Sequence, residues 1–285
     1  MKMNKLFISL LGILILSFAI LFSSTKTFAA GELDAIKANG KLRIAVFADK
    51  PPFGYVDENG DNQGYDIYLA HRLTQDLLGD PNKVEFILIE AASRIEVLLA
   101  NKADITLANF THTKERAEQV DFAKPYMKVA LGVASPVKAP ITDVKQLAGK
   151  TLIVNKGTTA DSYFSQNHPE VNLIKYDQNT EAFNALRDGR GVALAHDNAL
   201  LFAWVSENPG FVAGIDNLGE LDVIAPAVKK GNTELLGWLN DEITKLTNEG
   251  FFEKDYDATL KPVYGNTVDP KTVIISVSEL DTLGK

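Results

Sequence analysis

Residues 108–122 read A-N-F-T-H-T-K-E-R-A-E-Q-V-D-F, a strand end, a turn and a helix start in succession. Upstream, Asp104 to Phe110 alternates as a buried strand does. Downstream, Thr113-Lys-Glu-Arg has the form of a helix start, with Thr113 as N-cap and Glu115 favoured by the helix dipole. Arg116 is out of keeping there, because a cation in the first turn sits in the dipole's positive field. A guanidinium beside free backbone N–H groups, with Asn109 and Thr111 just before it, would clamp a small carboxylate or phosphate. A solvated surface arginine flanked by acids is the plain alternative, and this stretch alone supports both equally.

Working outward toward the N-terminus, Ser93 to Ala100 has helical apolar spacing and carries Arg94 in its first turn, a second cation opposed to a dipole. Arg94 could contact a ligand or pair with Glu90. Earlier, the strand Lys41 to Phe47 runs into Asp49-Lys50-Pro51-Pro52-Phe53-Gly54-Tyr55. Two prolines stiffen that loop and could hold the Phe53 ring over a cleft, or the ring could fold onto the core. Asn59-Gly60 is a hairpin turn signal, and Gly64-Tyr-Asp-Ile opens a helix.

On the C-terminal side, residues 127–135 form an apolar extended run ended by Pro136 and Pro140, which predicts a crossing between lobes. Strands and helices then alternate again. Lys156-Gly157-Thr158-Thr159-Ala160-Asp161 joins a strand to a helix, and Thr158 with Asp161 fits a capping box. Such a box is usually only a cap, yet the amides of that turn also face whatever lies beyond the strand end. Asp197, in His196-Asp197-Asn198, is a natural N-cap and is placed to meet a cation. Asp222 to Val228 is a candidate return crossing, followed by a helix at 232–248 and a shorter one from Phe252 to Leu260. The β-like run from Thr272 to Val277 in the tail has no functional reading.

The chain has 285 residues, 46% of them hydrophobic, enough for two lobes. Lys2 and Lys5 precede an apolar run from Leu6 to Phe22 and then Thr27-Phe-Ala-Ala, the layout of an export signal at 1–29 cleaved after Ala29, with Ala30 second and an uncleaved anchor as the alternative. Residues 1–30 hold three lysines and no acid, so their loss takes the net charge from −8 to −11. That charge disfavours nucleic acid and anionic membrane surfaces as partners. The absence of cysteine excludes disulfides, thiol catalysis and a lipidated cysteine. A soluble exported protein follows, placed in the periplasm, or secreted or membrane-associated if the host has a single membrane. The four histidines fall at no metal-ligand spacing, and no P-loop, nucleophile elbow or dinucleotide fingerprint is present, so no metal, cofactor or catalytic residue is expected. The predicted fold is α/β with two lobes, the second inserted in the first, and a ligand cleft beyond the strand C-termini. The expected division is lobe 1 at 30–130, lobe 2 at 131–226, a return to lobe 1 at 227–265 and a tail at 266–285.

Taken together, Lys50-Pro-Pro-Phe-Gly-Tyr, Gly64-Tyr-Asp-Ile, Asn109-Phe-Thr-His-Thr-Lys-Glu-Arg116, Val120-Asp-Phe, Pro125-Tyr126, Lys156-Gly-Thr-Thr and His196-Asp-Asn resemble the polar amino-acid-binding proteins of ABC importers, solute-binding family 3, over nearly all of 35–260. The resemblance implies a type II periplasmic-binding-protein-like fold with two hinge strands, closing over one amino acid. It implies that Arg116 pairs with the ligand α-carboxylate, helped by Thr111 and by Thr159 of the opposite lobe, with Thr158 beside it. It assigns the α-amino group to Asn109 and Asp197, and an aromatic wall to Phe53. Tyr68 departs from the family pattern, where a second acid is frequent.

Glu90-Ala-Ala-Ser-Arg94, Asn155-Lys-Gly-Thr-Thr-Ala-Asp and Tyr176-Asp-Gln-Asn-Thr look like the cysteine-binding branch. Arg94 also resembles an arginine that meets the side-chain carboxylate in acidic amino-acid binders, so glutamate or aspartate is the runner-up ligand. On this reading Arg94→Ala changes ligand choice and Arg116→Ala abolishes binding. The implied partners are ABC permease subunits with an ATPase, and the family resemblance favours a monomer. The alternative is an enzyme resembling cyclohexadienyl dehydratase, with Glu90 or Asp197 as its acid or base.

Overall fold

A computed structural model describes residues 32–283, and the expected export signal at 1–29 lies outside the described residues. Two five-stranded sheets organise the chain, one in each lobe. The first runs in the order Val84–Ile89, Leu42–Phe47, Ile105–Thr106, Ala227–Lys229, Val120–Phe122. Leu42, Ile44 and Val46 on one face and Ala45 and Phe47 on the other are all buried. A parallel strand covered by helices on both faces requires that pattern. The second sheet runs Asn172–Tyr176, Thr151–Asn155, Ala193–Asp197, Met127–Pro136, Phe211–Ile224. Its first three strands are parallel, so their C-terminal ends share one edge of the lobe.

Two long strands carry the crossing. Met127–Pro136 pairs antiparallel with Phe211–Ile224 along its whole length, from Met127 opposite Ile224 to Pro136 opposite Phe211. The return segment expected at 222–228 divides at Ala225-Pro226: residues before it belong to the second sheet, and Ala227–Lys229 to the first. Pro226 has no N–H for a ladder, so the break falls there.

Several expected elements are shorter than their sequence pattern. The strand expected over 104–110 is only Ile105–Thr106, because the chain then bends and Asn109 adopts φ 43°. The helix expected over 93–100 is a 3-10 turn at Ala91–Ser93 and a single α turn at Glu96–Leu99. The helix expected over 252–260 is α-helical at Phe251–Asp255 and widens to a π turn at Tyr256–Leu260. The β-like run at 272–277 forms no strand. It bridges the crossing strand once, Ile274 against Met127, and a short helix Val277–Leu280 follows. Val273, Ile275 and Leu280 are buried there, and Lys128 Nζ meets Glu279 at 2.8 Å, so the tail straps the base of the crossing strand.

Candidate functional site

The site lies where the C-terminal strand ends of both sheets meet. Its floor is the loop after Leu42–Phe47. Gly64, at φ 115°, lets the chain pass against that loop; a Cβ there would stand 2.4 Å from Phe53 O. The next two amides, Tyr65 N and Asp66 N, then donate to Pro52 O and Phe53 O at 2.9 Å each. The Lys50-Pro-Pro-Phe loop is thereby fixed to the N-terminus of the helix Tyr65–Leu78. Phe53 is fully buried in the main core, and its ring centre lies 5.8 Å from Lys50 Nζ. It backs the cleft through Lys50 and does not itself project over it.

Asn109 takes its left-handed backbone from four anchors. Its N–H donates to Asp66 Oδ2 at 2.8 Å, its carbonyl accepts from Arg94 Nη1 at 3.1 Å, its Oδ1 accepts from Lys50 Nζ at 2.7 Å, and its Nδ2 lies 3.6 Å from Met127 Sδ. Asp66 is buried with Tyr126 O–H donating to it at 2.6 Å. Burial raises its carboxyl to about 7 against the opposing pull of those hydrogen bonds and of Lys50 and Arg94.

Both sequence-predicted arginines are buried, and they differ in what they hold. Arg94 makes no contact with Glu90. It donates from Nε to Ala91 O, from Nη1 to Ala108 O and Asn109 O, and from Nη2 to Gly157 O. Four of the five guanidinium donors are therefore engaged by carbonyls. Arg116 follows the Thr113 N-cap as expected and makes two bonds, Nη1 to Thr111 O at 2.8 Å and Nη2 to Gly157 O at 2.9 Å. Its Nε and one N–H on each Nη have no partner among the described residues. Burial lowers Arg116 to about 10, against the support of nearby Asp197 and Asp222. Burial also raises Asp222, to about 6, with Asp197 adding to the shift and Arg116 opposing it.

The second lobe supplies the facing wall. Gly157 is at φ 71°, and a Cβ there would stand 2.8 Å from Ala92 Cα, so only glycine allows this approach. Thr158 caps the helix Thr159–Asn167 by accepting from Asp161 N, and its own hydroxyl donates to Asn155 O at 2.7 Å. The expected capping box is half formed, because Asp161 Oδ2 accepts from Gly157 N and not from Thr158 N. Thr158 is therefore a cap, and the half-buried Thr159 presents the first turn of that helix.

Asp197 corrects another expectation. It precedes the helix Asn198–Glu207 but makes no side-chain cap. Its Oδ2 accepts from Lys50 Nζ at 3.0 Å and lies 3.5 Å from His196 Nδ1, while Oδ1 has no partner among the described residues. Burial alone would raise this carboxyl; the Lys50 ammonium overcomes that and holds it well below the usual carboxylate range. Burial lowers Lys50 in turn, with Asp197 opposing. A second tie runs beside the first. Asp49 accepts from Asn179 Nδ2 at 2.9 Å and from Thr180 N at 3.2 Å, at the start of the helix Asn179–Arg187.

The structure thus brings Arg94, Asn109, Thr111, Arg116, Thr158, Thr159 and Asp197 to one cleft and puts Phe53 behind it. Sequence reasoning missed Lys50 and Asp49. The available signal was a charged pair set between a strand end and two prolines, with no acid one helical turn away to account for the lysine.

Two lobes joined by two crossing strands, with charged side chains of opposite sign meeting between them, define a solute-binding protein of the two-lobed α/β class. The chain belongs to the bacterial extracellular solute-binding proteins, family 3, which match residues 42–260. The structure is similar to that of the solute receptor for L-cysteine of Neisseria gonorrhoeae, at 60% identity and TM-score 0.84, covering 86% of this chain and 99% of that one. It is equally similar to the cysteine-binding protein of Campylobacter jejuni, at 60% identity, TM-score 0.85 and the same coverage. The ABC transporter glutamine-binding protein of Bacillus subtilis is 31% identical over 232 residues, 80% of this chain and 84% of that protein.

Proposed function

We propose that this protein is an extracytoplasmic receptor that binds one free amino acid and delivers it to ABC permease subunits and their ATPase. The observation that carries this reading is the pairing, in one cleft, of a buried Arg116 with three free donors and a buried Asp197 with one free oxygen. An amino acid carries a carboxylate for the first and an ammonium for the second. Thr111 and the first turn at Thr159 flank the carboxylate end, and Asn109 flanks the ammonium end. Because Arg116 stands on one lobe and Asp197 on the other, a bound zwitterion stabilises the closed state over the open one.

Cysteine is the favoured ligand, supported by the two receptors at 60% identity; glutamate, aspartate or another polar amino acid follows. The protein acts in the periplasm as a monomer after removal of residues 1–29. We assign no catalysis to the cleft. Conversion of a cyclic acid would need an acid or base poised near neutrality over the substrate. Asp197 is held ionised by Lys50, Asp66 lies behind Asn109 and Tyr126, and Asp222, raised to about 6 near Arg116, is the carboxyl that the aromatic-product assay below tests.

The test is a thermal-shift panel on refolded mature protein against every amino acid, with cysteine kept reduced and cystine assayed separately. A ligand at a thousandfold over its dissociation constant adds about 4 kcal/mol, which raises the melting temperature by roughly 10 °C. One amino acid with that shift is the expected outcome. No shift across the panel, together with release of an aromatic product from a cyclic acid, overturns the receptor reading.

A further inference from the structure

We propose that Lys50 selects the ligand's side chain, admitting a short one whose γ atom accepts a hydrogen bond, such as the sulfur of cysteine; the proposal rests on the amino-acid reading above. Lys50 is 1% exposed, and its Nζ stands 2.7 Å from Asn109 Oδ1 and 3.0 Å from Asp197 Oδ2. Those are the two residues that would hold the ligand ammonium. Nζ therefore lies at the amino end of the ligand, away from the Arg116 clamp. In an amino acid that has one, the γ atom sits roughly 3 Å from the α-nitrogen in the two rotamers gauche to it, by standard bond lengths and staggered torsions. A γ acceptor is then within reach of Nζ, whereas the polar end of glutamine or arginine lies several atoms further on.

Donor counting agrees with that placement. An ammonium has three N–H groups, and the two bonds named leave one without a protein partner. A buried ammonium donor without an acceptor is costly, so the arrangement favours a ligand that supplies one. His196, whose Nδ1 lies 3.5 Å from Asp197 Oδ2, holds a second donor without a partner among the described residues. His196 Nδ1 accepts from Asp197 N at 2.7 Å, which places the ring proton on Nε2, and that atom is buried without a partner. Arg94, the residue expected to read the side chain, has its donors engaged by four carbonyls.

Lys50 also ties the lobes together, so loss of affinity alone would not separate the two roles. The discriminating probe is a ligand pair, cysteine and α-aminobutyrate, which share a skeleton and differ by a thiol against a methyl. Calorimetry under reducing conditions is expected to show wild type preferring cysteine by about 50-fold, and Lys50→Met by less than about fivefold, as loss of a reader of a polar group implies. Equal weakening of both ligands with an unchanged ratio would overturn the proposal and leave Lys50 as a tie between lobes. Should Lys50→Met not fold, wild type decides by itself: cysteine and serine must bind at least about tenfold tighter than glutamine and arginine, a difference of about 1.4 kcal/mol. Tighter binding of the long side chains overturns it. If no amino acid binds wild type, the receptor reading itself fails, an outcome distinct from an unchanged ratio.

Discussion

The turns at 91–94 and 113–116 each deliver one buried arginine to the same cleft. Both guanidiniums donate to the same carbonyl, Gly157 O, at 2.9 Å, and the two stand 4.6 and 4.9 Å from the centre of the Phe110 ring. They differ in their surroundings. The 91–94 turn curls back so that Ala91 O, Ala108 O and Asn109 O converge on Arg94, whereas the 113–116 turn offers Arg116 only Thr111 O on its own lobe. One arginine holds the walls together; the other leaves most of its fork unengaged by the described residues. Sequence position does not separate these roles, and carbonyl supply does.

The largest expected effect tests the free fork. Arg116→Met should weaken amino-acid binding about a thousandfold, roughly 4 kcal/mol, in keeping with removal of one partner from a buried charge pair. The melting temperature without ligand should move little, because two hydrogen bonds to carbonyls are lost and a costly buried charge goes with them. Arg94→Met should do the reverse. It strands carbonyls at Ala91, Ala108 and Asn109 and should cost about 3 kcal/mol of stability. That lowers the melting temperature by roughly 6–10 °C, with affinity changed less than about tenfold. Calorimetry and thermal unfolding on the same two variants check both, and loss of binding at unchanged stability in Arg94→Met would erase the distinction.

Asp66 sharpens it further, since burial raises this carboxyl to about 7 while Lys50 and Arg94 pull it down. A carboxyl raised on folding binds more protons in the native state than in the unfolded one. Stability from this group is therefore full below about pH 4 and is lost as the pH rises toward about 7. Urea unfolding between pH 4 and pH 8 should show that decline. It should extend to higher pH in Arg94→Met, where a counter-charge is gone, and flatten in Asp66→Asn. The smallest effect belongs to Asp49. Asp49→Ala removes a helix cap, about 1 kcal/mol, and should weaken all ligands alike by about fivefold, leaving their rank order unchanged.

The two-lobed fold was legible because strand and helix periods alternate twice and two apolar runs interrupt them. That Arg116 is more than a solvated surface residue was legible because a first-turn cation contradicts its local field. What escaped was set by contacts between distant segments. Asp104 to Phe110 reads as one strand because Ile105, Leu107 and Phe110 recur between polar residues, but Asn109 turns left-handed to satisfy Asp66, Arg94 and Lys50 at once. Asp197 reads as an N-cap because acids before helices usually are; its carboxylate turned instead to a lysine 147 positions away. No local pattern records that partner.

The tie at Asp49 has a consequence for how lobe motion can be followed. Gln178, the residue that precedes the helix Asn179–Arg187, offers no side-chain cap of its own; the Thr180 amide is satisfied by Asp49 of the other lobe. Separating the lobes therefore uncaps a helix. The Thr180 amide should then exchange with deuterium in proportion to the fraction of time the cleft stands open, and added ligand should slow that exchange. One backbone proton, remote from the Arg116 clamp, would serve as a clock for the opening of the whole receptor.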